Sequence, residues 1–196
     1  MRVDNTEQIR GLLNFEDPND FYFVQIIQRR KENPEMKVGN KVIRDFTISN
    51  LKYYDRKVPE MIKMADFYHA RVCIRLNRRN FKKVALKMIT DVANKIESEQ
   101  YKSIDSSFSS AAGKYASETD KSWILDIDEE NLRPGLMSEI KKYIENARPF
   151  GNKQKTIIPS KTGYHMIVKP FDSREFSKLY PDIEIKKDSP TNLYIP

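Results

Sequence analysis

A strand that ends in two neighbouring carboxylates is the feature that most constrains this chain. The run from Ser122 to Asp128 (Ser-Trp-Ile-Leu-Asp-Ile-Asp) is rich in strand-forming residues. Side chains alternate between the two faces of a strand, so Asp126 and Asp128 share one face. Like charges side by side repel each other, and a divalent cation would relieve that repulsion. Taken alone, the pair also fits two solvated acids that enter a loop, since Glu129 and Glu130 follow at once.

A second strand-like segment, residues 156–170, follows a segment at 132–147 that indicates one helix. It contains Gly163-Tyr164-His165, and a glycine inside a strand indicates that something approaches the backbone closely. An imidazole, an ammonium and hydroxyls near one another suit a polyphosphate. Those groups come from His165 and from the residues just before Gly163, namely Ser160, Lys161 and Thr162. Alternatively, His165 is an interior residue bonded to a backbone carbonyl.

Charge and composition favour a globular protein with an anionic partner. The 196 residues suffice for one domain, and 35 lysines and arginines against 28 acids give a net charge of +7. Nucleic acid is the commonest partner of such a surface. The single cysteine, Cys73, excludes an internal disulfide and a cysteine-based zinc site. No apolar run approaches the roughly 20 residues that span a bilayer, and we expect no membrane association and a cytoplasmic protein.

The remaining segments predict an α+β fold with a mixed sheet covered by helices. Residues 21–28 and 42–48 indicate a hairpin, although Asp17-Pro18 could instead cap a helix over 18–30. A helix from Ser49 or Asn50 to about residue 68 is expected to be kinked or interrupted near Pro59. Further elements are expected as a strand at 71–76, a helix at 79–98, short helices at 104–115 and 173–179, and strands at 182–185 and 192–195.

The Asp-x-Asp strand, the helix after it and the Gly-Tyr-His strand together resemble the catalytic core of the archaeo-eukaryotic primase superfamily, which includes the primase-polymerases. The resemblance covers about residues 70–196 and implies an RRM-like palm after an N-terminal hairpin and helix at 1–70. It implies that Asp126 and Asp128 bind metal with a third acid, for which we favour Asp188. Glu184 and Asp182 are the alternatives for that third acid.

The same resemblance assigns the nucleotide site. It implies that His165 contacts the phosphates of an incoming nucleotide, with Lys161, Ser160 and Thr162 beside it. Gly163 stands where the family often has serine. No zinc-binding or helicase module accompanies the core, so we expect a minimal stand-alone member of the superfamily, of the kind that a phage or mobile element encodes. If the protein is viral, we expect it to act in the host cytoplasm.

The activity that the resemblance implies is primer synthesis by metal-dependent nucleotidyl transfer. The expected cofactor is Mg²⁺ or Mn²⁺, and the expected partners are a single-stranded DNA template, nucleoside triphosphates and a helicase or other replication protein. Template-binding candidates are Arg75, Arg78 and Arg79. Arg78 and Arg79 fit a solvated helix face better, whereas Arg75 is expected on a strand near the proposed site. Two other hypotheses stay open, namely a non-catalytic nucleic-acid-binding replication accessory protein and a metal-dependent nuclease.

Overall fold

Ten strands and six α-helices make up the computed structural model, which describes residues 2–37 and 39–196. The strands are β1 (Val3–Asp4), β2 (Asp20–Gln28), β3 (Lys41–Ile48), β4 (Arg71–Ile74), β5 (Arg79–Asn80), β6 (Trp123–Asp128), β7 (Gln154–Pro159), β8 (Gly163–Val168), β9 (Glu184–Lys186) and β10 (Thr191–Ile195). The helices are α1 (Thr6–Arg10), α2 (Leu51–Tyr68), α3 (Phe81–Glu97), α4 (Ser107–Lys114), α5 (Leu136–Asn146) and α6 (Phe176–Leu179). The α+β class is confirmed.

The first sheet contains the hairpin of β2 and β3, whose aromatic and β-branched residues favour strands. Its order is β1-β10-β4-β2-β3, with β5 pairing the start of β2. The predicted hairpin is confirmed, and the alternative of a helix over 18–30 is wrong. Because β4 and β10 complete this sheet, it draws strands from both sides of the expected division at residue 70. All its pairings are antiparallel.

The second sheet has the order β7-β8-β6-β9, again with antiparallel pairings. The segment at 156–170, predicted as one strand, is in fact the hairpin of β7 and β8. Its turn spans residues 160–162, and the Ser160 amide donates to the Gly163 carbonyl at 2.8 Å. Pro159 and Gly163 flank that turn, and both residue types commonly interrupt strands and favour turns.

Helix α2 runs through Pro59 without the expected interruption. Asn50 caps it by accepting a hydrogen bond from the Tyr53 amide at 2.8 Å. Pro59 lies on the exposed face, where water can bond the carbonyl that the missing amide leaves free. Among the described residues, no helix combines the length and apolar character needed to cross a membrane.

Strand β6 divides its apolar side chains between two cores. Ile124 packs with residues of the first sheet, together with Ile158 and Ile167. Leu125 and Ile127 point to the other side and pack in the core that includes α5. Since Asp126 and Asp128 alternate with Leu125 and Ile127, both acids share the face of Ile124 and lie toward the first sheet.

Gly163 begins β8 directly beside the end of β6. It pairs with Asp128 and has φ of +155°, which L side chains rarely adopt. A Cβ atom there would collide with the Ile127 carbonyl oxygen and lie 2.9 Å from the Asp128 Cα atom. The glycine is therefore required because the neighbouring strand fills the space where a side chain would stand, which also excludes the serine common in the primase superfamily.

We predict that Gly163→Ala destabilises the protein by more than about 2 kcal/mol, because it adds a backbone collision to the strain of positive φ. Gly151→Ala is the matched control, since Gly151 has φ of +117° and nothing within 4 Å of an added Cβ. The control should cost only about 1 kcal/mol. Urea unfolding of both variants measures the difference, and equal costs would show that the close approach is not real.

Candidate functional site

A cavity of about 480 Å³ lies where the two sheets part. The second sheet lines it with the strand residues Asp126, Asp128, His165 and Lys186 and with the turn residues Ser160, Lys161 and Thr162. The first sheet and the loop after β2 contribute Ile27, Arg29, Lys31, Glu32, Asn40, Arg71, Cys73 and Asn192, and Pro190 completes the lining. The prediction that Asp126, Asp128 and His165 face one cleft is confirmed. Gly163 is not among the lining residues.

Asp126 has a partner at each of its two carboxylate oxygens. Its Oδ1 lies 3.2 Å from His165 Nε2, and its Oδ2 accepts a hydrogen bond from the Lys186 ammonium. The hydrogen bonds from His165 and then Lys186 outweigh the effect of burial and hold the pKa of Asp126 at about 2. Burial works against the charge of Lys186, yet its hydrogen bond to Asp126 raises the pKa of Lys186. Both groups are therefore charged at neutral pH.

His165 sits opposite Asp126 on the adjacent strand, and both of its ring nitrogens have partners. Nδ1 lies 2.6 Å from the Thr191 hydroxyl, while Nε2 faces Asp126. An imidazole that donates from Nε2 to Asp126 can accept from the Thr191 hydroxyl at Nδ1. In this arrangement His165 positions Asp126, and neither nitrogen is left for a phosphate. The expected phosphate contact therefore needs one of these two bonds to break.

Glu32 crosses the cavity from the loop after β2. Its carboxylate accepts from Arg71 of β4 at 3.0 Å and from Lys161 of the β7–β8 turn at 2.8 Å. Burial opposes its charge, but the hydrogen bonds from Arg71 and Lys161 lower the pKa of Glu32 to about 2. This carboxylate therefore ties the loop to both sheets. It also neutralises Lys161, one of the groups expected to bind phosphate.

The structure corrects the preferred third acid, Asp188. Its carboxylate lies 2.7 Å from Arg79 Nη2 and 3.0 Å from Asn77 Nδ2, and it is not part of the cavity lining. The Arg79 side chain is 0% exposed, so its charge requires a carboxylate or hydrogen-bonding partner. Asp188 neutralises this buried arginine, and its carboxylate is therefore engaged outside the cavity that Asp126 and Asp128 line.

The two alternatives for the third acid, Glu184 and Asp182, differ in their position relative to Asp126. Glu184 pairs with Asp126 across the β6–β9 ladder, which places both side chains on one face. Its Oε2 lies 3.3 Å from Lys186 Nζ, and 70% of its side chain is exposed. Asp182 precedes β9 and is exposed. Of the acids considered, Glu184 comes nearest to the expected position.

The arginines predicted to bind a template are structural instead. Arg78 is 4% exposed and pairs with Glu16 at 2.8 Å and Asp20 at 3.4 Å. Arg79 donates to the Ala112 carbonyl at 2.7 Å as well as to Asp188. Arg75 donates to the Asp188 backbone carbonyl and lies 3.9 Å from its carboxylate. Burial and pairing leave these guanidinium groups little free surface, so their positions do not support the prediction that they contact nucleic acid, which stays untested.

The donor set does not fit the pair of divalent ions that the resemblance implies. Magnesium and manganese in such sites take several carboxylate oxygens. Within the described ranges, 2–37 and 39–196, no group of three or more histidine, cysteine, aspartate or glutamate side chains could hold a metal ion. Asp128 accepts a hydrogen bond from the Thr162 hydroxyl at 3.3 Å, while Asp126 is already bound by Lys186 and His165.

Several residues that line the cavity were not predicted from the sequence. Lys186 follows Glu184 by two positions, so strand alternation places both side chains on one face of β9. That this face is also the face of Asp126 depends on the β6–β9 pairing, which the sequence does not show. Arg29, Lys31 and Glu32 lie in a polar loop whose pattern gives no signal of its position in the fold.

Searches against protein-family models, curated proteins and solved structures find no match to this chain. The resemblance to the archaeo-eukaryotic primase superfamily therefore stays a prediction, carried by the Asp-x-Asp and Gly-Tyr-His strands.

We predict that Asp188→Ala lowers the free energy of unfolding by about 3 kcal/mol or more, because it leaves the buried guanidinium of Arg79 without a carboxylate. Asp182→Ala, on an exposed side chain of the same segment, should change it by less than about 0.5 kcal/mol. Denaturant unfolding compares the two. If both variants are as stable as the wild type, Asp188 does not hold Arg79 in place.

Proposed function

We propose that the inter-sheet cavity binds the phosphates of a nucleoside triphosphate and that the protein acts as a primase-polymerase-type nucleotide-binding protein in the cytoplasm. The observation that carries the proposal is the pairing of β6 with β8. It sets Asp126 opposite His165 and Asp128 opposite Gly163 at the edge of a cationic cavity. This is the arrangement expected of the strands that resemble the primase superfamily.

Charge supports the proposal. Lysine and arginine account for five of the lining residues, and acids account for three. Within the part of the chain that the structure describes, Arg29 and Lys31 form no salt bridge, so both can take an anion. The volume of about 480 Å³ falls within the range of ligand pockets, roughly 300–1,000 Å³. A triphosphate suits such a cavity because its charge-assisted hydrogen bonds are strong.

Primer synthesis on single-stranded DNA is the second candidate function. The Asp-x-Asp and Gly-Tyr-His strands favour it, since they are the elements on which the resemblance rests. A helicase or another replication protein is the partner we infer for it, and the host cytoplasm is its place if the protein is viral. The incomplete carboxylate set favours nucleotide binding over catalysis. The hypothesis of a non-catalytic replication accessory protein is therefore the alternative if primer synthesis fails.

We predict that the wild-type protein binds ATP and that the double variant Arg29→Ala/Lys31→Ala binds it at least tenfold more weakly, because two unpaired cations are lost. Lys37→Ala removes an exposed lysine of the same loop that does not line the cavity, and it should bind as the wild type does. Isothermal titration calorimetry measures all three. Failure of the wild type to bind, or equal affinity for the double variant and the control, would contradict the proposal.

The second candidate is tested by incubating the protein with single-stranded DNA, labelled nucleotides and manganese, and this hypothesis requires extended products. Asp126→Asn should reduce the product at least a hundredfold, whereas the exposed-site control Asp182→Asn should not. Gel electrophoresis detects the products. DNA that is shortened and not extended would support the nuclease hypothesis, and unchanged DNA with nucleotide binding intact would leave the accessory hypothesis.

A further inference from the structure

Lys186 places an ammonium group between two carboxylates at the end of the cavity. Its Nζ hydrogen-bonds Asp126 Oδ2 and lies 3.3 Å from Glu184 Oε2. The three side chains share a face, because Glu184 pairs with Asp126 and Lys186 follows Glu184 by two residues in β9. An ammonium that bridges two carboxylates stands where an all-oxygen site would hold a divalent cation.

A divalent ion on Asp126 would meet this ammonium at close range. Like charges repel more strongly in a partly buried cavity than in water, because screening is weaker there. The Lys186 side chain is only 24% exposed, and its ammonium is held by the hydrogen bond to Asp126. The other oxygen of Asp126 faces His165 Nε2 at 3.2 Å. An ion would therefore have to displace a positive group that the fold already positions.

The charge that a nucleotide needs is present without an ion. Lys186 neutralises Asp126, and the side chains of Arg29 and Lys31, which pair with no acid in the described part of the chain, line the same cavity. In most nucleotide sites a divalent ion both bridges the phosphate oxygens and neutralises nearby acids. Here a lysine does the neutralising, and cationic side chains are available to contact the phosphate oxygens.

We infer that the cavity binds the phosphates of a nucleoside triphosphate without a divalent cation, with Lys186 supplying the charge that the ion would bring. The inference rests on the proposed function and adds to it the form of the ligand, which is the metal-free nucleotide. It also separates this cavity from the two-ion site that the primase resemblance implies.

The test compares ATP binding by the wild-type protein in EDTA with binding in excess Mg²⁺, by isothermal titration calorimetry. We expect the dissociation constant in EDTA to be no more than about twofold weaker than in Mg²⁺. Binding in Mg²⁺ with none in EDTA would overturn the inference and leave the proposed function standing. Absence of binding in both buffers would overturn the proposed function itself, so the two failures are distinguishable.

Variants of neighbouring lysines test the role of Lys186. Lys186→Met should weaken ATP binding in EDTA about tenfold or more, because the charge of Asp126 is then uncompensated. Lys187→Met is the matched control, since the Lys187 ammonium lies over the Trp123 ring, 4.9 Å from its centroid and away from the cavity. Lys186→Arg keeps the charge and should recover most of the affinity.

Thermal melts establish that each of these variants is folded before binding is compared. Equal affinities for Lys186→Met and Lys187→Met would overturn the inference. If Lys186→Met does not fold, the inference is tested by ATP binding of Lys186→Arg and by the comparison of EDTA with Mg²⁺ on the wild type. Neither of these measurements removes a charge from the cavity.

Discussion

The cavity depends on how one face of the second sheet is divided between apolar and polar residues. Ile124, Ile158 and Ile167 on this face pack against the first sheet and exclude water there. Two residues beyond Ile124 the same face of β6 carries Asp126, which cannot enter an apolar core uncompensated. The sheets are thus held together at one end and part at the other. Strand alternation makes that division unavoidable once Ile124 is buried.

The local part of this arrangement follows from the sequence. Alternation in β6 places both aspartates on one face, and a glycine inside a strand signals a close backbone approach. Gly163 illustrates the limit of such reasoning. The glycine indicates that something approaches the backbone closely, and the structure shows that this neighbour is the Ile127 carbonyl oxygen. A residue type can reveal a steric constraint without revealing which atoms impose it.

Long-range ion pairs could not be predicted, because their partners are set by the tertiary fold. Asp188 and Arg79 are 109 residues apart, and only the structure shows that the buried guanidinium of one requires the carboxylate of the other. Arg78 is likewise paired with Asp20 and Glu16. These ion pairs are already balanced within the net charge of +7, so the excess that an anionic partner meets comes from other lysines and arginines.

If the cavity binds phosphate as we propose, the position of that phosphate depends on how unevenly the acids are neutralised. Asp126 is compensated by Lys186, and Glu32 by Arg71 and Lys161. Asp128 accepts a hydrogen bond from the Thr162 hydroxyl but, among the described residues, pairs with no cation, so its field repels an anion at the end of β6. Arg29 and Lys31, which form no salt bridge in the described ranges, lie on the loop after β2. Under the proposed function a triphosphate is therefore favoured beside that loop, whereas a primase-like site would place it against the aspartates.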